Sequence, residues 1–240
     1  SFKKAVFTTE NAYLDGQMSF FKFDNEIKLF ANIIRVIKSS NSVIYNESDK
    51  ENIEINASIY KVMTDTIAIL ADTSNLIIHY PFSYDFDDMW GQTDWGSMFV
   101  SKLLVTRKGN CHSLPYLYKI LAEEFNVQAY LAFAPNHIYI KNYCKKTGWY
   151  NTELTSATFP VDAWIMASGY VHLDAIRNGL YMDTLSLQQS VAYCLLDLAH
   201  GYQRKFGKAN PDFVIKCCNT VLKYHPVNVN AMLTKAEAQK

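Results

Sequence analysis

Three residues in the middle of this chain have types and spacings suited to nucleophilic chemistry: Cys111, His137 and Glu153. Cys111 follows the turn-forming run Lys108-Gly109-Asn110 and opens a pattern of Leu114, Leu117, Tyr118, Leu121 and Ala122, which predicts an amphipathic helix ending near Phe125-Asn126. A thiol at a helix N-terminus meets unpaired N–H groups and the positive end of the helix dipole, both of which favour thiolate. Attack on a carbonyl needs two further groups, a base within hydrogen-bond reach and a partner that fixes the orientation of that base. His137 heads a β-prone run, His137 to Lys141, and Glu153 lies on the next, Gly148 to Leu154. Joined by the polar turn Asn142 to Thr147, the two runs pair antiparallel with His137 facing Glu153 on one side of the sheet. Asn151, two residues back on the same face, is the alternative third member, because an amide oxygen can also accept the imidazole proton. His112 ranks behind His137 as the base, since a neighbour of Cys111 on a helix projects about 100° away from it.

The flanking elements that must hold these residues also leave patterns. Ile27, Phe30, Ile33, Ile34 and Ile37 recur at helical spacing and predict a first helix over Phe20 to Val36. After the polar stretch Ser39 to Ile55, a second helical pattern runs through Ile59, Val62, Met63, Ile67 and Leu70 and stops at Asp72 to Asn75. Tyr80 to Trp95, rich in aromatics, Asp, Pro and Gly, reads as an irregular loop. Three β-prone runs follow the Cys111 helix: Ala129 to Ala134, His137 to Lys141 and Gly148 to Leu154. Beyond Thr184 the pattern is helical again, over Leu185 to Arg204, Pro211 to Tyr224 and from Asn228 onward. The expected fold class is therefore α+β: a helical N-terminal layer, a Cys-bearing helix on an antiparallel sheet, and a helical tail. Residues 1–183 are assigned to one domain and 184–240 to the tail.

Bulk properties remove several classes of function. With 240 residues and 49% hydrophobic composition, the chain can bury a full core. Its 23 basic and 23 acidic side chains cancel, leaving no basic stripe to hold nucleic acid. No apolar run approaches the roughly 20 residues of a membrane-spanning helix. The five cysteines, Cys111, Cys144, Cys194, Cys217 and Cys218, are odd in number, irregularly spaced and without a Cys-x-x-Cys pair, which argues against both a disulfide framework and a zinc site. Asp85, Asp87 and Asp88 lack the spacing of a calcium loop. No metal or cofactor is expected. The sequence opens at Ser1 without a methionine, so removal of an export signal and a late start are both open, and the compartment with them.

The run Thr106-Arg107-Lys108-Gly109-Asn110-Cys111-His112-Ser113-Leu114-Pro115, then Asn136-His137, then Gly148-Trp149-Tyr150-Asn151-Thr152-Glu153-Leu154-Thr155, resembles the bacterial transglutaminase-like superfamily, which shares the papain-like cysteine-hydrolase fold. The resemblance covers Phe99 to Thr155 well and residues 1 to 80 hardly at all. It implies Cys111 as nucleophile, His137 as base and Glu153 as the acidic third member, where the family usually has Asp in a Trp-x-x-x-Asp-x-Thr pattern. It also implies a second oxyanion donor from upstream, for which Gln92 and Trp95 are the candidates, alongside the Cys111 N–H. Leu195, Leu198, Ala199 and Tyr202, with Cys217, Leu222, Pro226 and Ala231, resemble one tetratricopeptide repeat and the start of another, as in members whose catalytic domain precedes such repeats. One or two repeats cannot stand alone, so the tail is expected to pack on the catalytic domain or to continue past Lys240. The implied activity is thiol-based acyl chemistry on a peptide, protein or peptidoglycan-type substrate, hydrolysis being favoured over transfer. The rival expectations are a non-catalytic module that binds peptide or glycan, and a scaffold that recruits a protein through its repeats.

Overall fold

The computed structural model describes residues 1–40, 43–70 and 76–240. Among them the order is α1 (Phe2–Tyr13), α2 (Phe20–Ser40), α3 (Lys50–Thr64), β1 (Ile67–Leu70), β2 (Leu76–His79), β3 (Ser83–Tyr84), a 3₁₀ turn (Trp95–Met98), α4 (Val100–Thr106), β4 (Lys108–Gly109) and α5 (Ser113–Glu124). Then follow β5 (Tyr130–Ala134), β6 (His137–Cys144), β7 (Gly148–Thr152), α6 (Asp162–Ser168), α7 (Leu173–Arg177), α8 (Leu187–Phe206), α9 (Pro211–Tyr224) and α10 (Val229–Ala238). Small sheets among many helices make the fold α+β. No described helix is long and apolar enough to cross a membrane.

Helix α5 is the centre of the molecule. Every residue from Ser113 to Ala122 is buried, as expected of a helix surrounded on all sides. It packs against α1, α2, α3 and α4 and against β5 and β6. Strands β5, β6 and β7 form an antiparallel meander in that order. The β5–β6 connection is the two-residue turn Pro135-Asn136, with Asn136 in the left-handed region at φ 55°. Alternation along β6 sends Ile138 and Ile140 into the main core beneath α5 and Tyr139 into a smaller cluster with Ile165, Val171 and Met182 on the other face. The free edge of β5 is covered by residues 182–185, whose Met182 and Leu185 N–H groups donate to Phe133 and Leu131.

Local sequence explains the tail helices. Ser186 and Gln189 exchange hydrogen bonds as a capping box at the start of α8, Asn210 and Pro211 open α9, and Asn228 caps α10. These helices pack consecutively, and α8 also lies against α1. Tyr193, Leu196, Ala199, Cys218, Val221 and Ala231 belong to the same core cluster as the α5 residues. The tail therefore packs on the rest of the chain.

Three sequence readings are corrected. The second helix begins at Lys50 and stops at Thr64, and Ile67–Leu70 is a strand paired with Leu76–His79; β-branched Ile67 and Ile69 suit either state over so short a run. The Asp72 to Asn75 turn lies outside the described residues. The Tyr80 to Trp95 loop contains the two-residue strand β3, which pairs in parallel with β4 just before Cys111. Helix α1 was not anticipated, because its buried face, Phe2, Val6, Thr9 and Glu10, is short and half polar.

Candidate active site

The loop that carries Cys111 is built by its neighbours. Asn110, fully buried, accepts at Oδ1 from the His112 and Ser113 N–H groups at 3.0 and 3.1 Å, while Ser113 Oγ accepts from the Asn110 N–H at 3.1 Å. This reciprocal exchange caps α5 one residue before the thiol. The Asn110 amide also donates to the Met89 carbonyl at 3.2 Å and holds the upstream loop against the site. Gly109 is needed for close approach: a Cβ there would lie 2.6 Å from Ser113 Oγ and 2.7 Å from a Leu103 methyl. With the next two N–H groups taken by Asn110, the Cys111 N–H has no acceptor among the described residues. Pro115 falls in the first turn of α5, where a missing N–H costs nothing.

Cys111 alone of the five cysteines is not buried, and all five are free thiols among the described residues. Its Sγ faces the carbonyl of Asn136, at 3.9 Å, so the β5–β6 turn sits directly over the thiol. The next residue is His137. Its ring feels both the Cys111 thiol and Glu153, and its Nε2 lies 2.5 Å from Glu153 Oε2. Burial alone would lower the His137 pKa, but its hydrogen bonding with Cys111 and to the Glu153 carboxylate, and their charges, outweigh it and push the value up to about 10. Glu153 is buried, and burial would raise its pKa. The His137 bond and charge, with two bonds from Thr155, hold the carboxyl below its ordinary range instead. Those Thr155 bonds run from N–H and Oγ1 to Glu153 Oε1, at 2.9 and 2.7 Å, leaving Oε2 to the imidazole.

The contact between His137 and Glu153 is diagonal. Strand β6 pairs with β7 in the register Ile140–Thr152 and Lys141–Asn151, so one further step would set Tyr139, not His137, level with Glu153. The face is the expected one and the rung is two residues away. A diagonal neighbour on an antiparallel pair is within reach only of longer side chains, which gives a physical reason for Glu in place of Asp. The His137 ring stacks near that of Tyr139, with centroids 6.3 Å apart and planes 13° from parallel.

Asn151, the alternative third member, lies opposite Lys141; its NH2 donates to the Pro160 carbonyl at 3.0 Å and Asp162 Oδ1 at 2.8 Å, its Oδ1 is buried without a hydrogen-bond partner, and no hydrogen bond joins it to His137 among the described residues. Of the two oxyanion candidates, Gln92 has its backbone carbonyl accepting from Arg204, and Trp95 packs toward His200 and Gly201 of α8. Among the described residues no hydrogen bond joins either of them to Cys111. No group of three or more His, Cys, Asp or Glu among the described residues is arranged to hold a metal.

Sequence reasoning did not single out Thr155, although the Glu-x-Thr spacing was there to be read. It also passed over Asn110, whose place just before a helix is an N-cap signal. No protein-family model, no curated protein and no solved structure matches this chain.

Proposed function

We propose that the protein is a thiol-dependent hydrolase of transglutaminase-like or papain-like type, acting on peptide or amide bonds. The observation that carries this reading is the serial linkage Cys111–His137–Glu153, assembled from a helix N-terminus, a strand head and the end of the next strand. Each group is matched to its task. Cys111 lies just before the N-terminus of α5, the imidazole is held charged by its partners, and Thr155 fixes the carboxylate.

In the proposed reaction the Cys111 sulfur bonds to the substrate carbonyl carbon, and His137 gives its proton to the departing amine as the C–N bond breaks. A water then attacks the thioester, His137 takes its proton, the carboxylic acid leaves, and the thiolate–imidazolium pair is restored. The unpaired Cys111 N–H is the natural oxyanion donor, since a preorganised backbone donor stabilises the tetrahedral intermediate without reorganising. Peptides, proteins and peptidoglycan-type stems are the substrate classes to screen, because all offer such a carbonyl.

The test is a panel of peptide and peptidoglycan fragments, with acyl-directed covalent probes, against wild type and Cys111→Ala. Turnover or labelling that requires Cys111 supports the reading. Iodoacetamide alkylation of Cys111 no faster than that of free cysteine, and indifferent to His137→Ala, would overturn it and favour a binding module.

A further inference from the structure

A second histidine–carboxylate couple lies behind the thiol, and nothing in the proposed reaction uses it. His112, the residue after Cys111, is buried, with Nδ1 2.9 Å from the Met98 carbonyl and Nε2 2.9 Å from Asp197 Oδ1. Asp197 comes from α8, 85 residues away, and its other oxygen accepts from the Tyr116 hydroxyl at 2.7 Å. The Tyr116 ring lies against the imidazole, with centroids 4.1 Å apart. Each ring nitrogen thus faces an acceptor. A carbonyl oxygen cannot donate, so Nδ1 must carry a proton, and a carboxylate opposite Nε2 demands a second. A neutral imidazole can satisfy only one of these partners.

We infer that Asp197, acting through His112, holds a fixed positive charge beside the Cys111 sulfur, and that it is a positioning residue for the proposed nucleophile. The inference rests on the thiol-hydrolase reading above. The groups that couple electrostatically to the pair come from every side: Glu10 of α1, Tyr116 of α5, Tyr193, Cys194 and His200 of α8, and Cys111 itself. Burial would discharge His112, but the Asp197 charge and hydrogen bond, the Met98 bond and the Cys111 charge prevail and keep its pKa above the ordinary histidine range. Its neighbour Glu10 is spent on the N-terminus of α4, accepting from Val100 and Ser101 N–H at 2.7 and 3.0 Å, and is not a competing partner for the ring. The consequence is architectural. Helix α8, from the segment assigned to the tail, supplies the carboxylate that holds the His112 imidazole of residues 1–183 in its charged form.

Two measurements on the full chain test this. Nitrogen-15 spectra of labelled histidine in the wild type should show both His112 ring nitrogens protonated at pH 8, where a free imidazole is neutral. Asp197→Asn should slow iodoacetamide alkylation of Cys111 at pH 7 by about threefold or more, because the imidazolium that discharges lies nearer the sulfur than the carboxylate charge lost with it, and leave the rate at pH 10 unchanged. Asp197→Glu, which keeps the charge, should recover most of the loss, separating electrostatics from a general loosening of the loop. A neutral His112 ring in the wild type, or an Asp197→Asn protein that alkylates at the wild-type rate at pH 7, overturns the inference and leaves the thiol-hydrolase reading standing. A wild type whose Cys111 alkylates no faster than free cysteine removes both.

Discussion

His137 and His112 each present Nε2 to a carboxylate, 2.5 Å from Glu153 and 2.9 Å from Asp197, yet the rest of each ring's surroundings differs. For His137 the further influence is the Cys111 thiol, a group that can exchange a proton, and the side chain is 28% exposed. For His112 it is a backbone carbonyl, which cannot, at a side chain 11% exposed. On the proposed reading, one couple moves a proton toward an incoming substrate, whereas the other only keeps the proton it has. An acid–base catalyst needs an exchangeable partner and an opening to substrate, whereas a source of fixed charge needs saturated hydrogen bonds and burial. The two couples meet at consecutive residues, Cys111 and His112, on the loop that Asn110 caps.

The largest expected effect comes from breaking the exchangeable couple. Cys111→Ala and His137→Ala should each lower kcat by about 10⁴-fold or more, and the double variant should be little worse than either, because the members act as a unit. That is checked by steady-state hydrolysis of whichever substrate the screen returns. Next, Glu153→Gln should cost about 10²-fold in kcat with KM little changed, within the range of acid–base assistance. Glu153→Asp should fall by a comparable factor if the diagonal reach matters, and retention of full activity by the Asp protein would remove the explanation given for the longer side chain.

Gly109→Ala probes the loop shared by both couples. With a Cβ 2.6 Å from Ser113 Oγ, the variant should unfold about 1–3 kcal/mol more easily, measured by denaturant titration. The pH response sharpens the comparison further. A histidine pKa raised in the folded state contributes stability that is full below the unfolded value of about 6.5 and is lost as pH rises through the folded value. For His137 that upper value is about 10, so thermal stability should decline between neutrality and pH 10, and Glu153→Gln should flatten the decline. The smallest effect belongs to Asn151. Its bonds go to Pro160 and Asp162, so Asn151→Ala should leave kcat within about twofold while costing about 1–2 kcal/mol of stability.

Much of this arrangement was legible before any fold was known. Turn-to-helix context placed Cys111 just before α5, strand alternation put His137 and Glu153 on one face, and Pro211 and Asn228 marked the starts of two tail helices. These are local signals, set by periods of two and 3.6 and by the chemistry of caps and turns. The same local reasoning could not separate a helix from a strand at Ile67–Leu70, where the run is too short for either period to declare itself.

What the sequence determined by itself is therefore the identity of the candidate site residues and the side of each element on which they lie. Only the tertiary structure decided the rung, setting Glu153 diagonal to His137, and the claimant, turning Asn151 away to Asp162. It alone brought Asp197 across 85 residues to His112. The physical reason is that parity along a strand is fixed by backbone geometry residue by residue, whereas strand register and the docking of α8 are settled by burial summed over the whole core.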